Sequence, residues 1–425
     1  MTVHRDMILA AGNRMAGRLV ATPTVHSPAL SSRYGCRILL KLETLQVTGS
    51  FKARGALNRL MTLPRDRKES GVIAMSAGNH AQGVACFAAE LGIAATIVMP
   101  RFTPFVKVAQ TAGYGASVVL EGDTVAESYE HACKLANRDG LTFIHPYDDA
   151  EIIAGQGTVG LEILRDVDEK IDDVVIPIGG GGLASGIAVA FGGSSNLSAE
   201  SGTAARLTGV QTSAFPSMYK ALFDTPEPER EGIDPAMPAT PLGGTTLAEG
   251  IAVKTPGVLT RAILKAHLDA IALVDEPLLE RAVHDLCVHQ KLVTEGAGAA
   301  GLAAVMAAPE RYEGRTVVIV ICGGNIDPRI LSSILIRGLV KEGRLTRLRV
   351  RIEDSPGALA ETSRLIGEAG ANIVEVFHYR LGLDVPVKRL DVGFLIESRD
   401  RPHVADIMER LRAAGLHASV ADDAG

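Results

Sequence analysis

Apolar runs alternate with stretches of helical periodicity from about residue 37 to residue 325. The runs are short and rich in β-branched residues, as buried strands are, and the stretches between them repeat their apolar residues at helical spacing. Strands are predicted at residues 37–41, 71–75, 95–99, 116–120, 174–178 and 316–321, and helices at 50–60, 79–91, 183–190 and 278–289. This order predicts an α/β fold of open, twisted parallel sheets covered by helices on both faces.

The pattern changes near residue 345, where a second series of elements begins. It consists of an alternating strand at 346–352, a helix ending at 369, strands at 372–380 and 389–397, a helix at 402–414 and a strand at 416–420. The order βαββαβ is that of the ferredoxin-like module. We therefore expect a first domain at 1–335, a linker at 336–345 and a second domain at 346–422. Two segments, 192–202 and 224–241, are predicted surface loops.

Composition restricts the class of protein further. The 425 residues carry a net charge of −6, and 47% of them are apolar and 22% charged, which is typical of a soluble globular chain. No basic stripe is present, so nucleic acid is not an expected partner. The five cysteines contain no C-x-x-C pair, which favours a reducing compartment, here the cytoplasm. The uncharged stretch 174–199 is interrupted by Pro177 and many glycines, so we expect a buried strand and helix rather than a membrane span.

Lys52 is the first candidate for chemistry. It lies among small residues in Thr48-Gly49-Ser50-Phe51-Lys52-Ala53-Arg54-Gly55. A lysine amine reacts only when neutral, and a partly apolar site lowers its pKa. Such an amine can capture a carbonyl cofactor as a Schiff base. Because most lysines are solvated surface charges, this hypothesis needs a second feature.

A run of four glycines supplies that feature. It follows the apolar run Val174–Ile178 and precedes a predicted helix that begins at Leu183. A glycine loop that opens a helix lets backbone N–H groups converge on a phosphate. The loop lacks the ending of a Walker loop and the usual position of a dinucleotide fingerprint. A flexible turn is the alternative, but four glycines cost chain entropy without a packing return. Together with Lys52, the loop predicts pyridoxal 5′-phosphate as cofactor.

Five segments together resemble the fold-type II pyridoxal-phosphate enzymes, most closely the threonine and serine ammonia-lyases. They are Lys41–Lys52, Ser76–Gly83, Gly179–Gly182, Thr246–Lys254 and Cys322–Asn325, and they cover most of residues 1–335. The resemblance implies two parallel-sheet subdomains of the tryptophan synthase β type. The smaller, about residues 45–150, is inserted in the larger, and the cofactor lies between them.

The second domain resembles the ACT domain, a small-ligand regulatory unit. The match rests on Asp354-Ser355-Pro356-Gly357-Ala358-Leu359 and on Gly370-Ala371-Asn372-Ile373. The resemblance implies an amino-acid effector for this domain. A role in oligomerisation alone is the other interpretation.

The resemblance assigns roles around the cofactor. Lys52 is expected to bind its aldehyde and then to remove the Cα proton of the substrate. Phe51 is expected against the pyridine ring, Asn79 at the phenolic oxygen and Cys322 opposite the pyridine nitrogen, although free cysteines are more often inert buried thiols. A neutral partner there leaves the ring a weaker electron sink, which favours β-elimination over transamination. The expected phosphate donors are Gly179, Gly180, Gly181, Gly182 and Leu183.

The substrate carboxylate is expected at the turn that follows the strand 71–75. The Ser76 hydroxyl, which is placed with Lys52 among the catalytic residues, and the backbone of the turn are the implied donors. The substrate-binding set is Ser76, Ala77, Gly78, Asn79 and His80. Ser76 or Asn79 could also serve as a helix N-cap. Glu295 matches an acid of the family near the site but has no assigned role, and it could equally cap a helix.

The implied reaction converts L-threonine to 2-oxobutanoate and ammonia, and L-serine to pyruvate. Serine racemases of this fold have a second serine in the turn, where this chain has Ala77, so racemisation is expected to be poor. Some relatives place a metal-binding acid near Gln211, which has no carboxylate, so no metal is expected.

Alternatives remain open at this stage. A 3-hydroxyaspartate ammonia-lyase and a serine racemase share the fold, and a catalytically silent amino-acid sensor is the non-enzymatic candidate. Family habit implies a homodimer or homotetramer. A role in isoleucine biosynthesis is implied by the second domain, which catabolic forms usually lack.

Overall fold

The computed structural model describes residues 2–192, 205–223, 243–379 and 388–421. The chain divides into two compact units, Met1–Ile326 and Asp327–Gly425. Of the two predicted loops, 192–202 and 224–241, all but Gly192 lies outside the described residues.

The first unit contains ten described strands and thirteen described α-helices. In chain order the strands are β1 (Thr24–His26), β2 (Arg37–Leu42), β3 (Val72–Met75), β4 (Ala95–Met99), β5 (Ser117–Leu120), β6 (Thr142–Phe143), β7 (Asp173–Pro177), β8 (Arg206–Thr212), β9 (Ala270–Val274) and β10 (Thr316–Ile321). The helices are α1 (Arg5–Arg14), α2 (Pro28–Tyr34), α3 (Lys52–Thr62), α4 (Arg65–Ser70), α5 (Asn79–Glu90), α6 (Phe105–Gly113), α7 (Val125–Asp139), α8 (Ala150–Asp166), α9 (Gly182–Ala190), α10 (Ser217–Phe223), α11 (Val258–His267), α12 (Glu276–Gln290) and α13 (Gly296–Ala307).

These strands form two sheets. The larger has the order β1-β2-β10-β7-β8-β9, and the smaller has the order β5-β4-β3-β6. All neighbouring strands are parallel except β1 and β2, which are antiparallel. The α/β prediction is therefore confirmed, with one antiparallel edge strand that the sequence did not predict. Three residues are too few to show an alternating pattern.

The carboxyl ends of three strands carry predicted site residues. β3 is followed by Ser76, β7 by Ile178 and Gly179, and β10 by Cys322. The β-branched strands β7 and β10 are almost wholly buried, as expected of central strands in a parallel sheet. β7 and β10 present their carboxyl ends at one edge of the larger sheet, and β3 ends at the corresponding edge of the smaller sheet. Ligands bind at such edges of parallel sheets.

Helix α8 packs against both α3 and α9 through glycines. A Cβ on Gly155 would lie 2.5 Å from the Arg54 carbonyl oxygen of α3, and one on Gly157 would lie 2.9 Å from the Gly186 carbonyl oxygen of α9. The reverse contact is equally close, because a Cβ on Gly186 would lie 2.5 Å from the Gly157 nitrogen. Three helix backbones therefore meet where no side chain fits. This packing fixes the relative positions of the starts of α3 and α9.

A buried ion cluster ties α3 to the larger sheet and to α8. The Arg54 guanidinium donates to both carboxylate oxygens of Glu43 at 2.8 Å and to those of Glu162 at 2.7 and 2.8 Å. Its remaining contacts are the hydroxyls of Thr22 and Thr158, at 3.1 and 3.2 Å. Arg54 and Glu43 are buried, and every guanidinium nitrogen has an acceptor. A buried charge of this kind is tolerated because it is fully paired.

The second unit begins with a helix rather than with a linker. Its described elements are α14 (Pro328–Glu342), β11 (Leu345–Glu353), α15 (Ala358–Glu368), β12 (Asn372–Tyr379), β13 (Arg389–Glu397), α16 (Arg401–Ala413) and β14 (His417–Val420). Asp327 caps α14 through the N–H groups of Arg329 and Ile330, and Gly343 ends it with a φ of 71°. Nothing between these caps breaks the helix, so most of the expected linker at 336–345 is helical, and the division into compact units lies after Ile326.

The remaining elements of this unit follow the predicted βαββαβ order, which is confirmed. The sheet is antiparallel, with the strand order β12-β13-β11-β14. Alternate residues of β11 and β13 are buried with α15 and α16 in a separate core, which includes Leu348, Val350, Val392, Phe394, Ile366 and Ile407. In the described part of the chain, no helix has the length and apolar character needed to cross a membrane.

Arg54→Met should strongly destabilise the first unit. The substitution leaves the buried Glu43 carboxylate unpaired, so we expect the free energy of unfolding, measured by urea titration, to fall by about 3–5 kcal/mol. Arg37→Met is the matched control, because its ion pair with Glu169 is exposed and should contribute no more than about 1 kcal/mol. Equal losses in the two variants would contradict the structural role assigned to the cluster.

Candidate active site

The loop before Lys52 is held by the end of β10. The Phe51 N–H donates to the Cys322 carbonyl at 3.0 Å, and the Gly324 N–H donates to the Gly49 carbonyl at 2.9 Å. Ser50 and Gly323 form an isolated antiparallel bridge between these contacts. Residues far apart in the sequence are thereby brought into one site.

Lys52 is the first residue of α3, and its amine is half-buried. The Nζ atom donates to the Pro146 carbonyl at 2.6 Å and lies 5.2 Å from the centre of the Phe51 ring. Burial lowers the pKa of Lys52 to about 8, although Cys322 and Glu295 act in the opposite direction. A larger fraction of this amine is neutral at physiological pH than of an ordinary lysine, as a nucleophilic or basic role requires.

Burial also keeps Cys322 protonated. The side chain is buried at the carboxyl end of β10, and this burial raises the pKa of its thiol well above the usual value. The residue therefore presents a neutral thiol. That is the property expected of a partner for an unprotonated ring nitrogen.

The turn at Ser76 is arranged only partly as expected. The Ser76 Oγ atom accepts from the Gly78 N–H at 3.1 Å, so that donor is occupied, and Gly78, not Ser76, is the N-cap residue of α5. In the described part of the chain, the N–H groups of Ala77, Asn79 and His80 have no protein acceptor. Three of the expected backbone donors are thus available to a carboxylate.

The His80 side chain is turned away from this role. Its Nε2 atom lies 2.9 Å from the Ile144 carbonyl oxygen. Burial lowers the pKa of His80 to about 3, so the ring is neutral and its Nε2–H donates to that carbonyl. Of this residue only the backbone N–H is available for a substrate.

Asn79 is held by two neighbours. Its Nδ2 atom donates to Glu295 Oε1 at 2.8 Å, and its Oδ1 atom accepts from Asn325 Nδ2 at 2.8 Å. These contacts fix the orientation of the amide and leave its second N–H free for the phenolic oxygen expected there. Glu295 occupies the N-cap position of α13 but makes no side-chain cap, so its carboxylate serves Asn79 rather than the helix. Burial raises the pKa of Glu295 to about 7.

The glycine loop contacts other parts of the chain where a side chain would fit poorly. A Cβ would meet the Ile251 backbone at Gly179 (3.1 Å), the Tyr147 ring at Gly180 (2.3 Å), Met218 at Gly181 (2.8 Å) and Gln156 at Gly182 (2.5 Å). Gly181 also has a φ of 96°, which favours glycine. Among the described residues, the N–H groups of Gly179, Gly180, Gly181, Gly182 and Leu183 have no acceptor. Open donors at the start of α9 suit a phosphate.

These observations test whether the residues fit pyridoxal phosphate. The Lys52 amine matches its aldehyde, and the free N–H of Asn79 matches its phenolic oxygen. The neutral Cys322 thiol matches its ring nitrogen, and the open donors of the glycine loop match its phosphate. The predicted set fits the cofactor.

Gln211 does not resemble a metal ligand in this structure. Its Nε2 atom donates to the Ile178 carbonyl at 3.2 Å, and its Oε1 atom accepts from the Tyr219 N–H at 2.8 Å. Within the described ranges, no group of three or more His, Cys, Asp or Glu side chains could hold a metal ion. The absence of a metal stays a prediction.

The segment His145–Asp149, which joins β6 to α8, was not among the residues predicted from the sequence. Pro146 receives the Lys52 hydrogen bond, Tyr147 packs on the glycine loop, and Asp148 binds the first turn of α11. A polar segment that directly follows a parallel strand is a signal that could have located it. Strand β6, which precedes the segment, has only two residues and therefore shows no strand pattern in the sequence.

Comparisons with known proteins show the family of this chain. Residues 17–323 match the family model described as pyridoxal-phosphate dependent enzyme, and residues 346–415 match the ACT domain. The L-threonine ammonia-lyase of Thermotoga maritima is 42% identical, with 94% of each chain covered. That of Geobacter sulfurreducens is 40% identical, with 96% of this chain and 97% of its own length covered.

Solved structures show the same likeness. The crystal structure of T.th. threonine deaminase has a TM-score of 0.67 and 37% identity, and covers 76% of this chain and 99% of its own. Maize serine racemase has a TM-score of 0.68 and 29% identity, and covers 80% and 100%. Both likenesses extend over most of the chain.

Glu295→Gln should become more stable relative to the unsubstituted protein as the pH rises. The pKa of this carboxyl is raised from its ordinary 4.5 to about 7, so the folded protein holds the proton more tightly. The stabilisation from protonated Glu295 is complete below about pH 4.5 and is lost as the pH rises to about 7. Thermal midpoints of the cofactor-free proteins, compared between pH 5 and pH 7.5, should diverge in favour of the variant.

The exposed Glu313→Gln provides the control for removal of a carboxylate. A difference between Glu295→Gln and the unsubstituted protein that stays constant over this pH range would show that the pKa of Glu295 is not raised.

Proposed function

The chain belongs to the pyridoxal-phosphate dependent enzyme family, and from this premise we propose that it is a threonine ammonia-lyase. It converts L-threonine to 2-oxobutanoate and ammonia, and L-serine to pyruvate and ammonia. The observation that carries the proposal is the grouping of the Lys52 amine, the Ser76 turn, Asn79 and the glycine loop at the strand ends of one unit. The names of the relatives at 40% and 42% identity support the choice of substrate.

Bound pyridoxal phosphate withdraws electrons from the substrate Cα, which acidifies the Cα proton and allows the Cβ hydroxyl to leave. Lys52 Nζ takes the Cα proton, since the lowered pKa leaves this amine partly neutral near pH 7. Loss of that proton and of the hydroxyl removes one water. Hydrolysis of the released enamine returns a water and frees ammonia, so the atoms balance.

The substrate carboxylate is held by the turn that begins at Ser76. The free N–H groups of Ala77, Asn79 and His80 supply donors, and the Ser76 hydroxyl can donate while it accepts from Gly78. With both the phosphate and the carboxylate bound by backbone groups, the substrate Cα is oriented toward Lys52. Ala77 offers no proton donor for a second face, which disfavours racemisation.

A cavity at Asn325, whose side chain donates to Asn79, supports a substrate with an uncharged side chain. It is lined by Val47, Thr48, Gly49, Gln82, Gln110, Gly113, Tyr114 and Asn325, a set without a cation among the described residues. The nearby Lys107 amine is paired with Glu249 at 2.6 Å. The second carboxylate of 3-hydroxyaspartate would meet no cationic side chain among these lining residues, whereas the methyl or hydrogen of threonine or serine needs none.

The second unit regulates the first by binding an amino acid. The ACT match supports a small amino-acid effector, and isoleucine biosynthesis is the pathway in which such control is useful. The domains run from the start of the chain to Ile326 and from Asp327 onward. All five cysteines are free thiols, which supports a cytoplasmic location. A homodimer or homotetramer is the proposed assembly.

Lys52→Ala should abolish both cofactor capture and turnover. Purified unsubstituted protein with pyridoxal phosphate should show a visible absorbance band that the variant lacks. Threonine and serine deamination, followed as 2-oxo acid release, should fall by about 10³-fold or more. Lys265→Ala, at an exposed lysine, is the control. Absence of the band from the unsubstituted protein would favour the amino-acid sensor. Turnover of 3-hydroxyaspartate that is faster than turnover of threonine and serine would favour a 3-hydroxyaspartate ammonia-lyase.

Removal of the second unit should separate catalysis from control. A chain that ends at Ile326 keeps all the site residues, so its threonine deamination should continue in the absence of effector. Rates measured with added valine and isoleucine should change in the full chain and stay constant in the shortened one. Equal responses in both proteins would rule out effector binding by the second unit.

A further inference from the structure

Asp148 caps a helix to which it does not belong. Its Oδ2 atom accepts from the Val258 N–H at 2.9 Å, and its Oδ1 atom accepts from those of Leu259 and Thr260 at 2.9 and 3.2 Å. The N-cap residue of α11 is Gly257, which has no side chain to offer. The carboxylate therefore satisfies the donors at the start of α11 and offsets the positive end of its dipole.

The first turn of α11 in turn holds the glycine loop. The Thr260 hydroxyl donates to the Gly180 carbonyl oxygen at 2.7 Å, and the Gly257 N–H donates to the same oxygen at 3.4 Å. A trans peptide is planar, with its C=O and N–H pointing in opposite directions. Fixing the Gly180 carbonyl toward α11 therefore directs the Gly181 N–H away from α11. That N–H is one of the open donors of the loop.

Tyr147 limits movement of the loop on another side. Its ring fills the space that a Cβ on Gly180 would need, and its hydroxyl donates to the Thr255 carbonyl at 2.9 Å. The turn that carries it is fixed by His145 Nδ1, which accepts from the N–H groups of Asp148 at 2.8 Å and Tyr147 at 3.3 Å. Burial lowers the pKa of His145, which keeps the ring in the neutral form that can accept.

We propose that Asp148 is a positioning residue that sets the affinity of the glycine loop for the cofactor phosphate. By capping α11 it fixes the peptide between Gly180 and Gly181. It also satisfies the N–H groups at the N-terminus of α11, whereas those at the N-terminus of α9 remain available for a phosphate. The same segment binds Lys52 through Pro146, so one turn positions both the phosphate loop and the amine. This inference rests on the phosphate role proposed for the glycine loop.

The test compares two ligands that differ only in the phosphate. Pyridoxal phosphate and pyridoxal are each titrated into cofactor-free protein and followed by visible absorbance. Asp148→Asn turns an amide N–H toward backbone donors, so we expect its affinity for pyridoxal phosphate to fall roughly tenfold, as for a lost cap. Its affinity for pyridoxal should stay within about twofold of the unsubstituted value, because Lys52 is bound by the Pro146 carbonyl and not by the Asp148 side chain.

Asp275→Asn is the matched control. Asp275 caps α12 by accepting from the Leu278 N–H at 3.0 Å and makes no contact with the loop. It should keep both affinities and its stability, because an asparagine oxygen can accept the same single hydrogen bond. Thr260→Val, which removes only the hydroxyl donor to Gly180, should lower the affinity for pyridoxal phosphate selectively even if Asp148→Asn does not fold.

The possible outcomes separate this inference from the assignment beneath it. If the unsubstituted protein binds the two ligands equally, the phosphate role of the loop is wrong. A second outcome is that the unsubstituted protein prefers pyridoxal phosphate and Asp148→Asn keeps that preference, or loses affinity for both ligands equally. That outcome would overturn the positioning role of Asp148. Thr260→Val takes the place of Asp148→Asn if the latter does not fold.

Discussion

The close packing of α8 against α3 and α9 is the constraint on which the site depends. Lys52 begins α3 and the open donors begin α9, so the distance between amine and phosphate loop is set by how closely these helices approach α8. Gly155 and Gly157 permit backbone contact, and a methyl group at either position would lie within 3 Å of a neighbouring backbone oxygen. Because packed backbones cannot relax as side chains do, both halves of the site are fixed by one helix.

Burial drives the titratable groups of the site toward their neutral forms. It lowers the pKa of Lys52 and His80 and raises that of Glu295 and Cys322. In the proposed site, the negative charges of the cofactor phosphate and the substrate carboxylate would meet backbone donors rather than cationic side chains. A neutral amine can act as nucleophile and base, so the desolvation that is costly for a charge is useful for the chemistry.

The charged side chains next to the site are paired with other protein groups. Arg54 lies two residues after Lys52 but faces Glu43 and Glu162, with all its donors used. Asp148 neutralises the start of α11 in the same way. Lys41 and Glu43 lie in one of the segments that carry the family resemblance. Their side chains form structural ion pairs and do not face the site.

The sequence by itself determined the α/β class and the βαββαβ module, and it indicated the amine, the glycine loop and the Asn79 turn as candidates for the site. These are local properties, because periodicity, glycine runs and strand-end positions are legible along the chain. Only the tertiary structure decided the boundary after Ile326, the partner of Glu295, the orientation of His80 and the part played by His145–Asp149. Each of these depends on contacts between residues distant in sequence, and a helix cap or hydrogen bond formed across the fold leaves no periodic signal.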